Sequence, residues 1–352
     1  MSNWYTSRET VKRAGNLIGD DQNSAVDRQI EAASREFDRS TRRYFIPRTE
    51  ARTYRWPNRR GVGRVLWLDQ GLISVTTLKT QAQNTSPTTV SASDFFLEPN
   101  NSGPPYNRIE IDLSSTAAFE AGDTPQRSIE VTGSWGYTAN TRSVGTVASG
   151  LSSDATVTEF VCSNASVIDV GDTLLIENEQ IFVSDRSFAA LGSVLVNDAS
   201  ITSSMSDNTI TLDGSHGVVV GEIIRLDAEE ILVRSVATNV ITVERAYNGT
   251  LLAAHSNDTA VNISRTLTIE RGVNGTTAAT HANATAISKY EPPSDISRLI
   301  IAQSLAMFSQ EGAHYGRTVG IGDGAAQFDS KDLASLEKRT SAFYRRSRQA
   351  AI

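Results

Sequence analysis

Four histidines (His216, His255, His281 and His314), a single cysteine (Cys162) and forty carboxylates are the side chains of this 352-residue chain from which an active site could be built. A structural zinc site draws on four Cys or His ligands brought together, and one cysteine excludes the thiolate-rich versions. Nucleophilic catalysis needs a Ser or Cys beside a base, yet there is no GxSxG, no HExxH and no Walker motif. The carboxylate pairs Glu177/Glu179 and Glu229/Glu230 could in principle act as general acid and base. That work requires a desolvating cleft, and both pairs lie in repeated strand–turn sequence, which predicts solvated edges. Glycines 312, 316, 320, 322 and 324 are not followed by Gly-Lys-Ser/Thr, so a flexible loop is expected there and not a phosphate cradle. The chain is therefore read as not an enzyme, with no cofactor and no metal.

Charge is segregated. Ten arginines stand between Arg35 and Arg64 against Glu36, Asp38 and Glu50, a net of +7. From Gly145 to Val261 four arginines face sixteen carboxylates with no lysine, a net of −12, within a chain whose total is −7. Such a split suggests two bodies with different surroundings. No apolar run approaches the ~20 residues of a membrane span. The opening MSNWYTSRETVKRAGNL has no apolar signal core, and one cysteine suits a reducing cytoplasm.

The elements that must position these groups are legible from periodicity. Thr6 or Ser7 can cap a first helix reaching about Leu17. Val26, Ile30, Ala33, Phe37 and Tyr44 form the apolar stripe of a second, which Pro47 must end. Short β segments are expected at Glu50–Trp56, Val65–Leu68, Leu72–Lys79, Asp94–Leu97, Arg108–Leu113 and Ser128–Trp135. After Pro292 and Pro293 the pattern is helical again. Ile296 to Phe308 leave little polar face, which predicts a largely buried helix, and a basic helix starts at about Ser330.

The middle is duplicated. VGDTLLIENEQIFV (Val170 to Val183) matches VGEIIRLDAEEILV (Val220 to Val233) at an offset of 50. ERAYNGTLLAAHSNDTAV (Glu244 to Val261) matches ERGVNGTTAATHANATAI (Glu270 to Ile287) at an offset of 26. The Asn-Gly pairs at 248–249 and 274–275 are turn signals, because both residues tolerate positive φ. The matched His255 and His281 read as structural members of the repeat.

Three stretches carry a family resemblance. The first is AVDRQIEAASREFDRSTRRYFIPRTEARTYRWP, a helix running into a strand; the second is IEVTGSWGY; the third is PPSDISRLIIAQSLAMFSQEG with its Gly-rich loop and final basic helix. In order and spacing the chain resembles a tailed-bacteriophage head–tail connector, with some 150 extra residues between Tyr137 and Tyr290. The resemblance implies an α+β fold: a small helical bundle with a β extension, plus an inserted all-β domain made of duplicated modules. The expected division is 1–141 and 290–352 for the adaptor core and 142–289 for the insert. Removing Ser143 to Ser288 is then expected to leave a folded helical core.

The resemblance also implies a structural virion protein. It would form an adaptor ring beneath the portal, with twelve copies to match it, and would bind a tail or stopper/terminator protein below. Double-stranded DNA would pass through without tight binding. Its place would be the virion neck, reached by assembly in the host cytoplasm. The C-terminal Leu333, Leu336, Phe343, Tyr344, Arg345, Arg346 and Arg348 are the expected portal contact. Arg35, Arg39, Arg42, Arg43, Arg52 and Arg55 are the expected charge pairs between subunits. The alternative is a carbohydrate- or receptor-binding role for the β modules.

Overall fold

A computed structural model of the chain describes residues 3–57, 63–196, 201–214, 216–312, 318–319, 326–327 and 330–346. It overturns the helical-bundle architecture: 37% of the chain is strand and 22% helix, in two large antiparallel sheets of six and ten strands with four helices among the described residues. The reason is that the β segments do not decorate helices. The six-stranded sheet covers one apolar core and the ten-stranded sheet two. Two compact units result, each drawn from distant segments: Met1–Phe37 with Thr141–Val273 and Thr277–Ser341, and Asp38–Asn140 with Asn274–Thr276 and Ala342–Ile352.

The unit that begins at Asp38 holds the six-stranded sheet. Its strands are β1 (Arg48–Tyr54), β2 (Val65–Thr80), β3 (Thr88–Val90), β4 (Phe95–Glu98), β5 (Tyr106–Ile111) and β6 (Ile129–Trp135), in the order β1-β6-β2-β5-β4 with β3 on the end of β2. The two segments expected at 65–68 and 72–79 are one strand, its register broken between Trp67 and Leu72. On β6 the alternation is complete: Ile129, Val131, Gly133 and Trp135 are buried and the residues between them are not. This is the period of two that a strand with one buried face requires. Trp135 is fully buried among Leu66, Leu68, Leu72, Ile109, Ile129 and Val131, and its Nε1–H donates to the Glu50 carbonyl at 3.0 Å.

The other unit holds the duplicated region as β7 (Thr141–Thr146), β8 (Glu159–Val161), β9 (Thr173–Ile176), β10 (Glu179–Val194), β11 (Thr209–Thr211), β12 (Ile223–Leu226), β13 (Glu229–Ala237), β14 (Val240–Glu244), β15 (Ala260–Glu270) and β16 (Ala286–Tyr290). Two cores sit on this sheet. Phe160, Cys162, Ile168, Leu174, Ile176, Ile181 and Val183 in one occupy the places of Ile210, Leu212, Val218, Ile224, Leu226, Ile231 and Val233 in the other.

The modules are nested rather than consecutive. In the second, β13 turns into β14 at Thr238–Asn239, with Ala237 paired to Val240. In the first, the equivalent pair is Ser187 on β10 and Thr266 on β15. Where the second module has a two-residue turn, the first contains the whole second module.

Two helices open the same unit. In α1 (Arg8–Gly15) the cap is Ser7, whose side chain accepts from the Thr10 N–H, and Asn16 closes the C-terminus in the left-handed region. In α2 (Asn23–Thr41) Val26, Ile30, Ala33 and Phe37 are buried as the stripe predicts, but its fifth member, Tyr44, lies beyond the helix and is half-buried. The left-handed Arg42 (φ 57°), and not Pro47, follows its end. Of α3 (Ser294–Gly312), Ile296, Leu299, Ile300, Gln303, Ser304 and Ala306 are buried. The last helix is α4 (Ser330–Tyr344).

These helices are not a core from which the β modules could be removed. The Arg8 N–H donates to the Val170 carbonyl at 3.0 Å, and the Val170 N–H donates back to Glu9 at 3.0 Å. Trp4 stacks edge-on against Phe182 and lies against Gly171, where a Cβ would stand 2.2 Å from its ring. Deleting 143–288 would uncover Trp4 and Glu9, so a folded helical remainder is not expected.

Candidate functional site

The histidines and carboxylates converge twice, once per module. Glu179 opens β10 and Glu229 opens β13, each just after a turn residue with positive φ, Glu177 or Asp227. Arg271 and Arg245 follow the paired strands β15 and β14. In the first module Arg271 Nε and Nη2 donate to the two Glu179 oxygens at 2.8 and 2.6 Å. In the second, Arg245 donates to Glu229 at 2.7 and 2.7 Å. His281 sets its ring nitrogens against Glu177 at 2.7 Å and Glu179 at 2.8 Å. His255 does the same with Asp227 at 2.8 Å and Glu229 at 2.9 Å.

Every central member is closed off: the side chains of Glu179, Glu229, Arg245, Arg271, His255 and His281 are 0% exposed. Backbone N–H groups of Ala246 and Ala253 complete the Glu229 carboxylate, and those of Gly272 and Ala279 complete Glu179. Burial pushes the Glu229 carboxyl up, but the Arg245, Ala253, Ala246 and His255 hydrogen bonds outweigh it and hold it at about 2. Glu179 is held below its ordinary value by the same balance of burial against Arg271, Ala279 and His281. The expectation of solvated edges is therefore wrong for Glu179 and Glu229, because each neutralises a buried arginine. With every lone pair engaged, neither cluster has a free base or room for substrate. They are internal ties that clamp the loop after each Asn-Gly turn, as the repeated histidines suggested. Cys162 is a core residue too, its thiol pushed up to about 11 by burial.

The C-terminal segment is divided between inside and outside. Tyr344 is buried against Phe45 and Tyr137, the three rings meeting pairwise at 5.2–5.4 Å. Arg43 Nε donates to the Tyr344 carbonyl at 2.7 Å and its guanidinium lies over the Tyr137 ring. The Arg346 N–H donates to the Thr41 carbonyl at 3.0 Å, and its side chain donates to the Leu68 carbonyl. Leu333 and Leu336 are half-buried, Phe343 is 75% exposed, Arg345 is exposed, and Arg348 lies outside the described residues. The expected contact set is thus not one surface: Tyr344 and Arg346 are anchored within their own unit of the chain, while Phe343 and Arg345 face outward.

The expected charge pairs divide in the same way. Arg35 donates to the Asn3 carbonyl and lies over Tyr5. Arg52 bridges Glu50 and Asp69, at 2.7 Å from Asp69. Arg42 is half-buried, and Arg39 and Arg55 are exposed. Arg43 and Arg346 border a cavity of about 210 Å³ with Gly71, Pro105, Asn107 and Tyr137. Among the described residues no carboxylate pairs with either arginine. Burial lowers the Arg43 guanidinium, and burial together with the charge of Arg43 lowers Arg346. Sequence reading grouped these two arginines with different surfaces. Nothing local signals that residues near 43 and 346 share one pocket.

No family model matches the chain, and neither a curated protein nor a solved structure with significant similarity to it was found.

Proposed function

We propose that this chain is a structural component of a tailed-bacteriophage neck, an adaptor that assembles as a ring beneath the portal and joins the DNA-filled head to the tail. On this reading the portal protein lies on one side and a tail or stopper/terminator protein on the other. Double-stranded DNA crosses the ring without being gripped, and assembly takes place in the host cytoplasm. The role is mechanical and calls for neither catalysis nor a cofactor.

The observation that supports it best is the cluster of Phe45, Tyr137 and Tyr344. Each of the three stretches that resemble connector proteins supplies one of these rings. Stretches matched only by coincidence would have no reason to share a core. The outward-facing Phe343 and Arg345 are the residues offered for the portal, an apolar anchor beside a guanidinium suited to acidic groups.

The test is addition of the purified chain to DNA-filled, portal-bearing heads, followed by sedimentation and imaging of the particles. A ring of added density at the portal vertex is expected. Particles that remain bare at that vertex, or a chain found on tail fibres in mature virions, would overturn the reading.

A further inference from the structure

The cavity bordered by Arg43 and Arg346 has the properties of a site and not of a packing defect. Two guanidiniums meet there, one from the residues after α2 and one from the C-terminal segment. Each has donated one hydrogen bond to a backbone carbonyl, Arg43 to Tyr344 and Arg346 to Leu68. Arg346 Nη1 is buried and has no partner, and so is Oδ1 of Asn107, which lines the same cavity. The nearest acidic influence on Arg346 is Asp69, whose oxygens are taken by Arg52 at 2.7 Å and by the Tyr54 hydroxyl at 2.5 Å. Two like charges held together in a half-buried site, with no counter-ion among the described residues, are costly, and cations withdrawn from water are ordinarily paired.

We propose that this pocket binds a phosphate group. Its two unneutralised guanidiniums match a dianion, and arginine's fork matches phosphate oxygens in particular. The orphaned Asn107 oxygen selects among oxyanions. It needs a donor, and a hydrogen phosphate carries a P–OH, whereas an ionised carboxylate or sulfate has none. The volume, about 210 Å³, suits a compact anion and excludes a nucleic-acid duplex. Tyr137 forms one wall, so the bound group would sit beside the aromatic cluster and tie the C-terminal segment to the turn after α2.

Titration calorimetry on the full chain with inorganic phosphate, at constant ionic strength made up with chloride, tests this. Saturable one-site binding is expected, with a rise in unfolding temperature as phosphate is added. Arg346→Gln should weaken binding at least about tenfold, and Arg346→Lys, which keeps the charge but loses the fork, should fall between the two. Arg127→Gln, at an exposed arginine of the same unit, should bind as the parent chain does. Glycerol 3-phosphate separates the sources: its dianion lacks the P–OH that Asn107 calls for, so weaker binding than the free ion is expected, and equal binding would overturn the selection assigned to Asn107. Absence of saturable binding, acetate binding as tightly as phosphate, or equal losses in Arg127→Gln and Arg346→Gln would overturn the proposal. If Arg346→Gln does not fold, the Arg346→Lys comparison and the acetate arm still decide it.

Discussion

Phe45 and Tyr344, near opposite ends of the chain, meet edge to face with ring centroids 5.3 Å apart and planes at 89°. Phe45 is 1% and Tyr344 6% exposed, so the contact belongs to the interior of its unit and fixes the end of α4. The neighbouring Phe343 points to solvent, and this alternation within two residues separates a structural anchor from a candidate docking residue.

Tyr344→Ala should therefore lower stability by about 2–4 kcal/mol, as for loss of a buried aromatic ring, whereas Phe343→Ala should stay within about 0.5 kcal/mol. Urea denaturation of the two variants measures this. Equal midpoints would show that the C-terminal segment is not docked. It follows that truncation after Asp329 cannot test the proposed portal contact, since it also strips Tyr344 and Arg346 from their own unit. Phe343→Ala with Arg345→Gln can.

The buried ties should behave as a charge pair whose partners cannot be removed singly. Arg245→Leu leaves Glu229 buried without its guanidinium, held only by His255 and the Ala246 and Ala253 N–H groups, and a loss of roughly 3–5 kcal/mol is expected. Arg245→Leu with Glu229→Leu should recover much of it. The double variant being the less stable of the two would show that the pair itself, rather than the orphaned charge, holds the module.

Glu9 makes stability fall with pH. Burial, then the charge of Asp169, pushes its carboxyl from 4.5 up to about 8, although Arg186 opposes them. Between those values the unfolded chain has lost a proton that the folded chain retains. Folding is therefore penalised progressively as pH rises from about 4.5 to 8. Glu9→Gln, which can still accept from the Val170 N–H, should flatten the stability profile over that window. Glu229 acts in the opposite sense: its depressed carboxyl contributes stability above about pH 4.5 that is lost as pH falls toward 2. An unchanged neutral-range slope in Glu9→Gln would contradict the first assignment.

Nesting predicts that the second module can be excised. Replacing residues 188–265 with Thr-Asn gives the first module the turn that joins Ala237 to Val240, because Ser187–Thr266 is the equivalent cross-strand pair. The shortened chain should fold with one cooperative transition and keep its β circular-dichroism signature. A deletion that yields only aggregate would mean that the modules stabilise each other through the shared β15.

Much of this molecule was legible in the chain. The stripe Val26, Ile30, Ala33, Phe37 is buried as its spacing requires. Asn248 and Asn274 adopt φ of 51° and 57° at the Asn-Gly turns. These features depend on neighbours a few residues apart, where side-chain period and backbone sterics act directly. Even the nesting was written in the repeats: the second copy follows the first at Val170 and Val220 but precedes it at Glu244 and Glu270. The aligned positions also contained Glu179 with Glu229, Arg271 with Arg245 and His281 with His255, a threefold match that marks a repeated buried tie.

What the tertiary structure alone decided is which distant surfaces are covered. Glu179 and Glu177 are both acidic residues at one turn, yet the first is buried and the second is 59% exposed, because Arg271 reaches only the first. Arg43 and Arg346 look like any basic residues until the chain brings them to one cavity. The dominance of strand over helix arose in the same way. Local pattern assigns each segment its type, but the long-range burial of whole sheet faces determines which segments become the core.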